Sequence, residues 1–118
     1  MWAPFSPEKV AELQAQNIPV FIDFTAAWCL TCQANKKAVL QRSHVEKKFN
    51  ELGVVTMRAD WTQPDETITK ALAAFGRNSV PLYVLYGRDP RQKPVILPEL
   101  LTSKIVIEAL EKLRFEYF

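Results

Sequence analysis

Ala27-Trp28-Cys29-Leu30-Thr31-Cys32-Gln33 contains both cysteines of the 118-residue chain, and the rest of the sequence reads outward from it. Upstream, Val20-Phe21-Ile22-Asp23-Phe24-Thr25 is β-branched and aromatic with one carboxylate, which predicts a buried central strand. Downstream, Gln33 to Leu40 has helix formers and neither Gly nor Pro, which predicts a helix. A Cys-x-x-Cys between an apolar strand and a helix is a redox motif. Unpaired N–H groups and the helix dipole favour an anion at the N-terminus, so Cys29 is expected to be the exposed thiolate. Cys32, one turn deeper, is then the resolving thiol. In a partly buried site a helix terminus supplies up to about 2 kcal/mol, close to what bringing a free thiol into the neutral range requires.

Two other readings use the same spacing. A structural staple is geometrically possible, but closing so short a loop constrains the unfolded chain by only about 2 kcal/mol. A structural zinc site asks for four ligands, and His44, the single histidine, is all that remains to join the pair. His44 reads instead as a solvated residue in the first turn of a helix. No metal is expected, and no cofactor beyond the redox-active Cys29–Cys32 disulfide itself.

With 48% hydrophobic residues, the chain is expected to form one domain over residues 1–118, as a monomer. The net charge of +2 is spread along the chain with no basic block, which argues against nucleic acid as a partner. The N-terminal Met1-Trp2-Ala3-Pro4-Phe5-Ser6-Pro7 lacks a basic region followed by an apolar run. No later stretch approaches membrane-spanning length, so the domain is not expected to insert into a membrane directly.

Ser6-Pro7 predicts a helix start, with Val10 and Leu13 on its apolar face and an end near Asn17. Ser43-x-x-Glu46 predicts a capping box for a helix through Leu52, closed by Gly53. Val54 to Ala59 reads as a strand parallel to the central one. Asp65 or Thr67 caps a helix to Phe75, and Trp61 before it is expected to cover the core rather than to contact a ligand near the active site. Pro81 enters the strand Leu82-Tyr83-Val84-Leu85-Tyr86, and prolines 94 and 98 make Val95-Ile96-Leu97 an edge strand. Thr102 caps a last helix with Ile105, Val106, Ala109, Leu110 and Leu113 on one face. Three aromatics crowd the tail Arg114-Phe115-Glu116-Tyr117-Phe118, which is expected to dock on the domain or on a partner.

This order of elements, with Trp28 directly before Cys29, Asp23 in the preceding strand and Val80-Pro81 before a later one, resembles the thioredoxin superfamily. The resemblance implies an α/β thioredoxin-like fold, a central mixed sheet of about four strands, with a short fifth at the N-terminus, flanked by helices. More narrowly, Phe24 to Gln33, Arg58-Ala59-Asp60-Trp61-Thr62, Val80 to Tyr86 and Leu97 to Thr102 resemble the C-terminal domain of DsbD-type transmembrane thiol:disulfide interchange proteins. That family places the domain in the periplasm, tethered to the inner membrane. It takes electrons from a membrane-embedded cysteine pair and passes them to periplasmic protein thiols, a chemistry that also serves cytochrome c biogenesis. By this resemblance the chain is a piece beginning near Trp2 of a longer protein, whose transmembrane and N-terminal domains are its partners. Asp23 is implied to be a buried acid that moves protons for Cys32. Val80-Pro81 falls where the family has its cis-proline, and Trp28, Leu30, Thr31, Val80 and Pro81 are implied to contact substrate. Two departures stand out: Leu30-Thr31 replaces the Gly-Pro of thioredoxin, and Lys36 stands where some members carry a second acid.

The expected activity is thus protein-disulfide reduction by dithiol–disulfide exchange. The alternative is a thioredoxin-fold binding module or metal chaperone whose cysteines do not turn over.

Overall fold

The computed structural model describes residues 2–116; Tyr117 and Phe118 of the aromatic tail lie outside the described residues. Its elements in chain order are β1 (Ala3–Pro4), α1 (Pro7–Ala15), β2 (Val20–Thr25), α2 (Leu30–Asn35), a π-helical turn (Lys36–Leu40) and α3 (Ser43–Glu51). There follow β3 (Val55–Asp60), α4 (Glu66–Ala74), β4 (Leu82–Tyr86), β5 (Val95–Leu97), α5 (Ser103–Glu111) and a 3-10 turn (Lys112–Phe115). The five strands form one mixed sheet in the order β1-β3-β2-β4-β5. β1 and β2 both run parallel to β3, while β2–β4 and β4–β5 are antiparallel.

All six residues of β2 are buried, as a strand covered on both faces should be. Alternation sends Phe21, Asp23 and Thr25 to one face and Val20, Ile22 and Phe24 to the other. On the first face Phe21, Tyr83 and Leu85 pack under Val39, Leu40, Val45, Phe49, Val106 and Leu110. On the second, Ile22, Phe24, Met57 and Val84 pack against Val10 and Leu13 of α1 and Ile68 and Leu72 of α4. Trp2 closes the first core at the β1 edge, its ring 6.0 Å from Phe21 and 5.8 Å from Phe49. Each such large side chain, fully buried, stabilises the fold by roughly 1.5–3 kcal/mol.

The predicted caps at Ser6, Asp65 and Thr102 form, each side chain accepting from the backbone N–H three residues on. α1 ends near Asn17 as expected, its last helical residue Ala15 and its C-cap Gln16, with Asn17 turning the chain at φ 60, a left-handed conformation that Asn tolerates. Three local expectations are corrected. Ser43 is not a cap. The Arg42 carbonyl already accepts from Val45 and Glu46, so α3 starts one residue earlier than a capping box would place it, and Ser43 becomes its first helical residue. The cysteine helix is not uniformly α, since its second half is the π turn. β3 is displaced by one residue, because the Val54 N–H donates to Phe49 and completes the end of α3. Gly53 at that end has φ 67, where a side chain would be strained.

Candidate active site around Cys29 and Cys32

Cys29 is the N-cap of α2, in extended conformation, and its Sγ accepts from the Cys32 N–H at 3.2 Å. A sulfur so placed meets the positive end of the helix. The two cysteines are disulfide-bonded, with Cα atoms 5.2 Å apart. Cys32 is the more deeply buried, but the expected exposure of Cys29 is corrected: it is only 8% exposed against 2% for Cys32. Ala26 and Val80 close over the pair. What stands in solvent is the flank, Trp28 at 55% and Leu30 at 86% exposure, with Thr31 exposed beside them. The Val80-Pro81 peptide is cis, and Pro81 is buried while Val80 packs on the cysteines.

Asp23 lies on the sheet face covered by the cysteine helix. It pairs in register with Tyr83 on β4, whose hydroxyl reaches Asn35 of α2. Only 2% of Asp23 is exposed, and its Oδ2 accepts from Arg58 Nε at 3.2 Å. Burial pushes its carboxyl above the ordinary value; the Arg58 guanidinium, and Lys36 more weakly, pull the other way. Asp23 is therefore not a solvated strand-end carboxylate. Its Oδ1, and Thr25 Oγ1 two residues along the same face, are buried with no hydrogen-bond partner among the described residues. Arg58 in turn lies 4.4 Å from the centre of the Trp2 ring.

Sequence reasoning missed the polar ties that hold this site. Asn35, 2% exposed, donates to Tyr83 Oη at 2.8 Å and to the Glu99 carbonyl at 2.7 Å, and accepts from Leu101 N–H at 3.1 Å. Burial raises the Tyr83 hydroxyl far above an ordinary phenol. On the other side, Thr62 Oγ1 accepts from Ala27 N–H at 2.8 Å and donates to Asp60, whose carboxyl is held low by the Thr62 hydrogen bonds. Trp61 covers the core, as expected, and also meets Trp28. It packs against the second core, and its ring lies 6.1 Å from that of Trp28. His44 is exposed, as read, and among the described residues no three His, Cys, Asp or Glu side chains form a metal-binding group. A larger, mostly apolar cleft of about 620 Å³ opens on the opposite sheet face, between α1 and α4, and contains none of the predicted site residues.

A thioredoxin-like family model matches residues 1–88. The chain belongs to the thioredoxin-like family. A curated relative, the thiol:disulfide interchange protein DsbD of Vibrio cholerae serotype O1, is 35% identical over 81 residues. That match takes in 66% of this thioredoxin-like chain but only 13% of the relative. The C-terminal domain of Neisseria meningitidis DsbD superposes in its oxidised form with a TM-score of 0.70 at 18% identity, covering 95% of this chain and 98% of that one. Its reduced form gives 0.71 at 21% identity with the same coverage. These likenesses carry the thioredoxin-like fold, a five-stranded mixed sheet flanked by five helices. Among the described residues no helix is long and apolar enough to cross a membrane.

Proposed function

We propose that this chain is a thiol–disulfide oxidoreductase module that relays electrons between proteins. The observation that carries the reading is Cys29 at the N-cap of α2, bonded to Cys32 and accepting from its N–H. In the dithiol form, the Cys29 thiolate attacks one sulfur of a partner disulfide and releases the other as thiolate, leaving a mixed disulfide. Cys32 then gives its proton to the Asp23 carboxylate and attacks Cys29 Sγ. The partner leaves with two thiols, and the module keeps the Cys29–Cys32 disulfide. Burial of Asp23 supports this role, since a raised carboxyl is nearer the range in which it accepts a thiol proton. Exposed Trp28, Leu30 and Thr31, with half-buried Val80 against the cysteines, are the surface on which the partner segment lies, and buried Pro81 positions Val80.

The match to part of a DsbD supports a wider reading. Residues 1–118 would be one periplasmic domain of a larger protein tethered to the inner membrane, recharged by that protein's membrane-embedded cysteines. It would pass electrons to its N-terminal domain or to other periplasmic thiol proteins, including those of cytochrome c biogenesis. Catalysed reduction of insulin or of a model protein disulfide by the dithiol form tests the activity. Absence of turnover would instead support a binding module or metal chaperone. Proteins trapped by Cys32→Ser would identify the partners.

A further inference from the structure

A cleft of about 170 Å³, lined by Trp28, Trp61, Thr62 and Pro64, opens on the surface at Trp28, the residue before Cys29. Two indoles packed on one another line it, their ring centres 6.1 Å apart and planes inclined by 54°. Both are fixed by their own polar atoms. Trp28 Nε1 donates to the Thr62 carbonyl at 3.2 Å, and Trp61 Nε1 donates to Thr69 Oγ1 at 3.0 Å. Thr62 is fixed in turn, its N–H and hydroxyl both on Asp60 Oδ1 and its Oγ1 under the Ala27 N–H. The cleft is thus preorganised, and with both indole N–H groups spent, the tryptophans offer an occupant only ring faces and edges.

Two indoles, a proline ring and a threonine suit an apolar side chain, and an aromatic one gains most from offset or edge-on packing. The size agrees, since a cavity of about 150 Å³ is known to accommodate a benzene ring. Position fixes where the occupant comes from. Trp28 is adjacent to Cys29 and belongs to the exposed flank of the cysteine pair, so a segment presenting its disulfide to Cys29 passes the cleft with the residues that flank its own cysteine. We propose that the Trp28–Trp61 cleft is a specificity subsite that takes an aromatic or bulky apolar side chain flanking the reacting cysteine of the partner protein. Trp61 is the specificity-determining residue. The inference rests on the redox reading above and adds to it the chemistry of the partner.

The test uses the dithiol form of the chain and synthetic peptide disulfides that differ only in the residue after the reacting cysteine, Phe or Ser. Hydroxyethyl disulfide serves as a substrate with no side chain at all. The wild type should reduce the Phe peptide with a kcat/KM roughly three- to tenfold above the Ser peptide, the range an aromatic contact provides. Trp61→Ala should bring that ratio to about one, and Trp61→Phe should restore part of it. Because the readout is a ratio within one protein, a general loss of activity does not imitate it. A wild-type ratio near one, or a ratio that survives Trp61→Ala in a protein whose circular dichroism is native, would overturn the subsite. Failure to reduce even hydroxyethyl disulfide would remove the redox reading, and the subsite with it.

Discussion

Asp23→Asn separates the two forces acting on the buried acid. Burial favours the protonated carboxyl and Arg58 favours the carboxylate, with burial the larger. The native carboxyl therefore titrates above the unfolded one, which lies near 3.9. Well below the unfolded value of about 3.9 both states are protonated and ionisation of Asp23 costs nothing. As pH rises from there to the native midpoint, the folded protein keeps a proton that the unfolded chain has released. Stability then falls by up to about 1.4 kcal/mol per pH unit and levels off above the native midpoint. Asparagine has no such dependence. The stability of Asp23→Asn minus that of wild type should accordingly climb with pH from about pH 4 and plateau above the native midpoint. Arg58, with 23% of its side chain exposed, can be hydrated when its partner is lost, so the substitution does not strand a fully buried cation. Urea unfolding of both oxidised proteins at intervals from pH 4 to 9 measures the difference. A flat difference would show that burial does not dominate; a difference falling with pH would show that Arg58 does. In the dithiol form the same substitution should slow the resolving step by about a hundredfold, the lower end of what a general base contributes. Equal exchange rates across pH 6 to 9 would refute the proton role whatever the stability curve does.

Iodoacetamide at limiting concentration should label Cys29 of the reduced protein before Cys32, as mass spectrometry would show, and preferential labelling of Cys32 would reverse the roles. Cys29→Ser should abolish exchange, while Cys32→Ser should accumulate mixed disulfides visible on non-reducing gels. Asn35→Ala leaves the Leu101 N–H and Tyr83 Oη without their partner and should cost about 2–4 kcal/mol in urea unfolding; a loss under about 1 kcal/mol would mean that water takes over the amide's bonds. Leu30 and Thr31 add no positive charge beside Cys29, so equilibration with dithiothreitol should give a potential nearer roughly −270 mV than −120 mV, and a value above about −180 mV would argue for an oxidant or isomerase instead.

The elements legible in the sequence were those whose signal is local. Val20 to Thr25 could be read as a central strand because its composition has no solvent face. Val95–Leu97 could be read as an edge because prolines bracket it. Cys29 and Cys32 could be ranked by depth because a helix start orders its own first turn. Where reading failed, the deciding contact was distant or the local pattern was ambiguous. Ser43-x-x-Glu46 has the letters of a capping box, but the preceding helical turn delivers the chain one residue early. Gln33 to Leu40 suits α and π hydrogen bonding equally, so the switch at Lys36 leaves no mark in composition. Asp23 was legible as an unusual carboxylate, whereas its partner Arg58 is 35 residues away and meets it only through the β2–β3 register. Trp61 showed as a large aromatic after a strand, and nothing local said that it would meet Trp28.

Those distant contacts explain how so short a helix can serve as an anion-stabilising terminus. α2 has six residues before the π turn, well below the length at which a helix holds itself together in water. Its geometry must come from tertiary ties, and they lie at both ends. At the start, Ala27 N–H is held by Thr62, and the Gln33 side chain reaches back to the Ala26 carbonyl at 2.9 Å. At the end, Asn35 joins the helix to Tyr83 beneath it and to the Glu99–Leu101 segment ahead of α5. Tyr83 is the register partner of Asp23, so the bond that fixes the helix end also fixes its height over the buried acid. Turnover makes and breaks one bond between residues 29 and 32, inside these two clamps. The helix terminus, the exposed tryptophan flank and the acid on the sheet can therefore keep their mutual positions through the proposed cycle, which is what a dithiol–disulfide relay of the kind proposed above would require of its site.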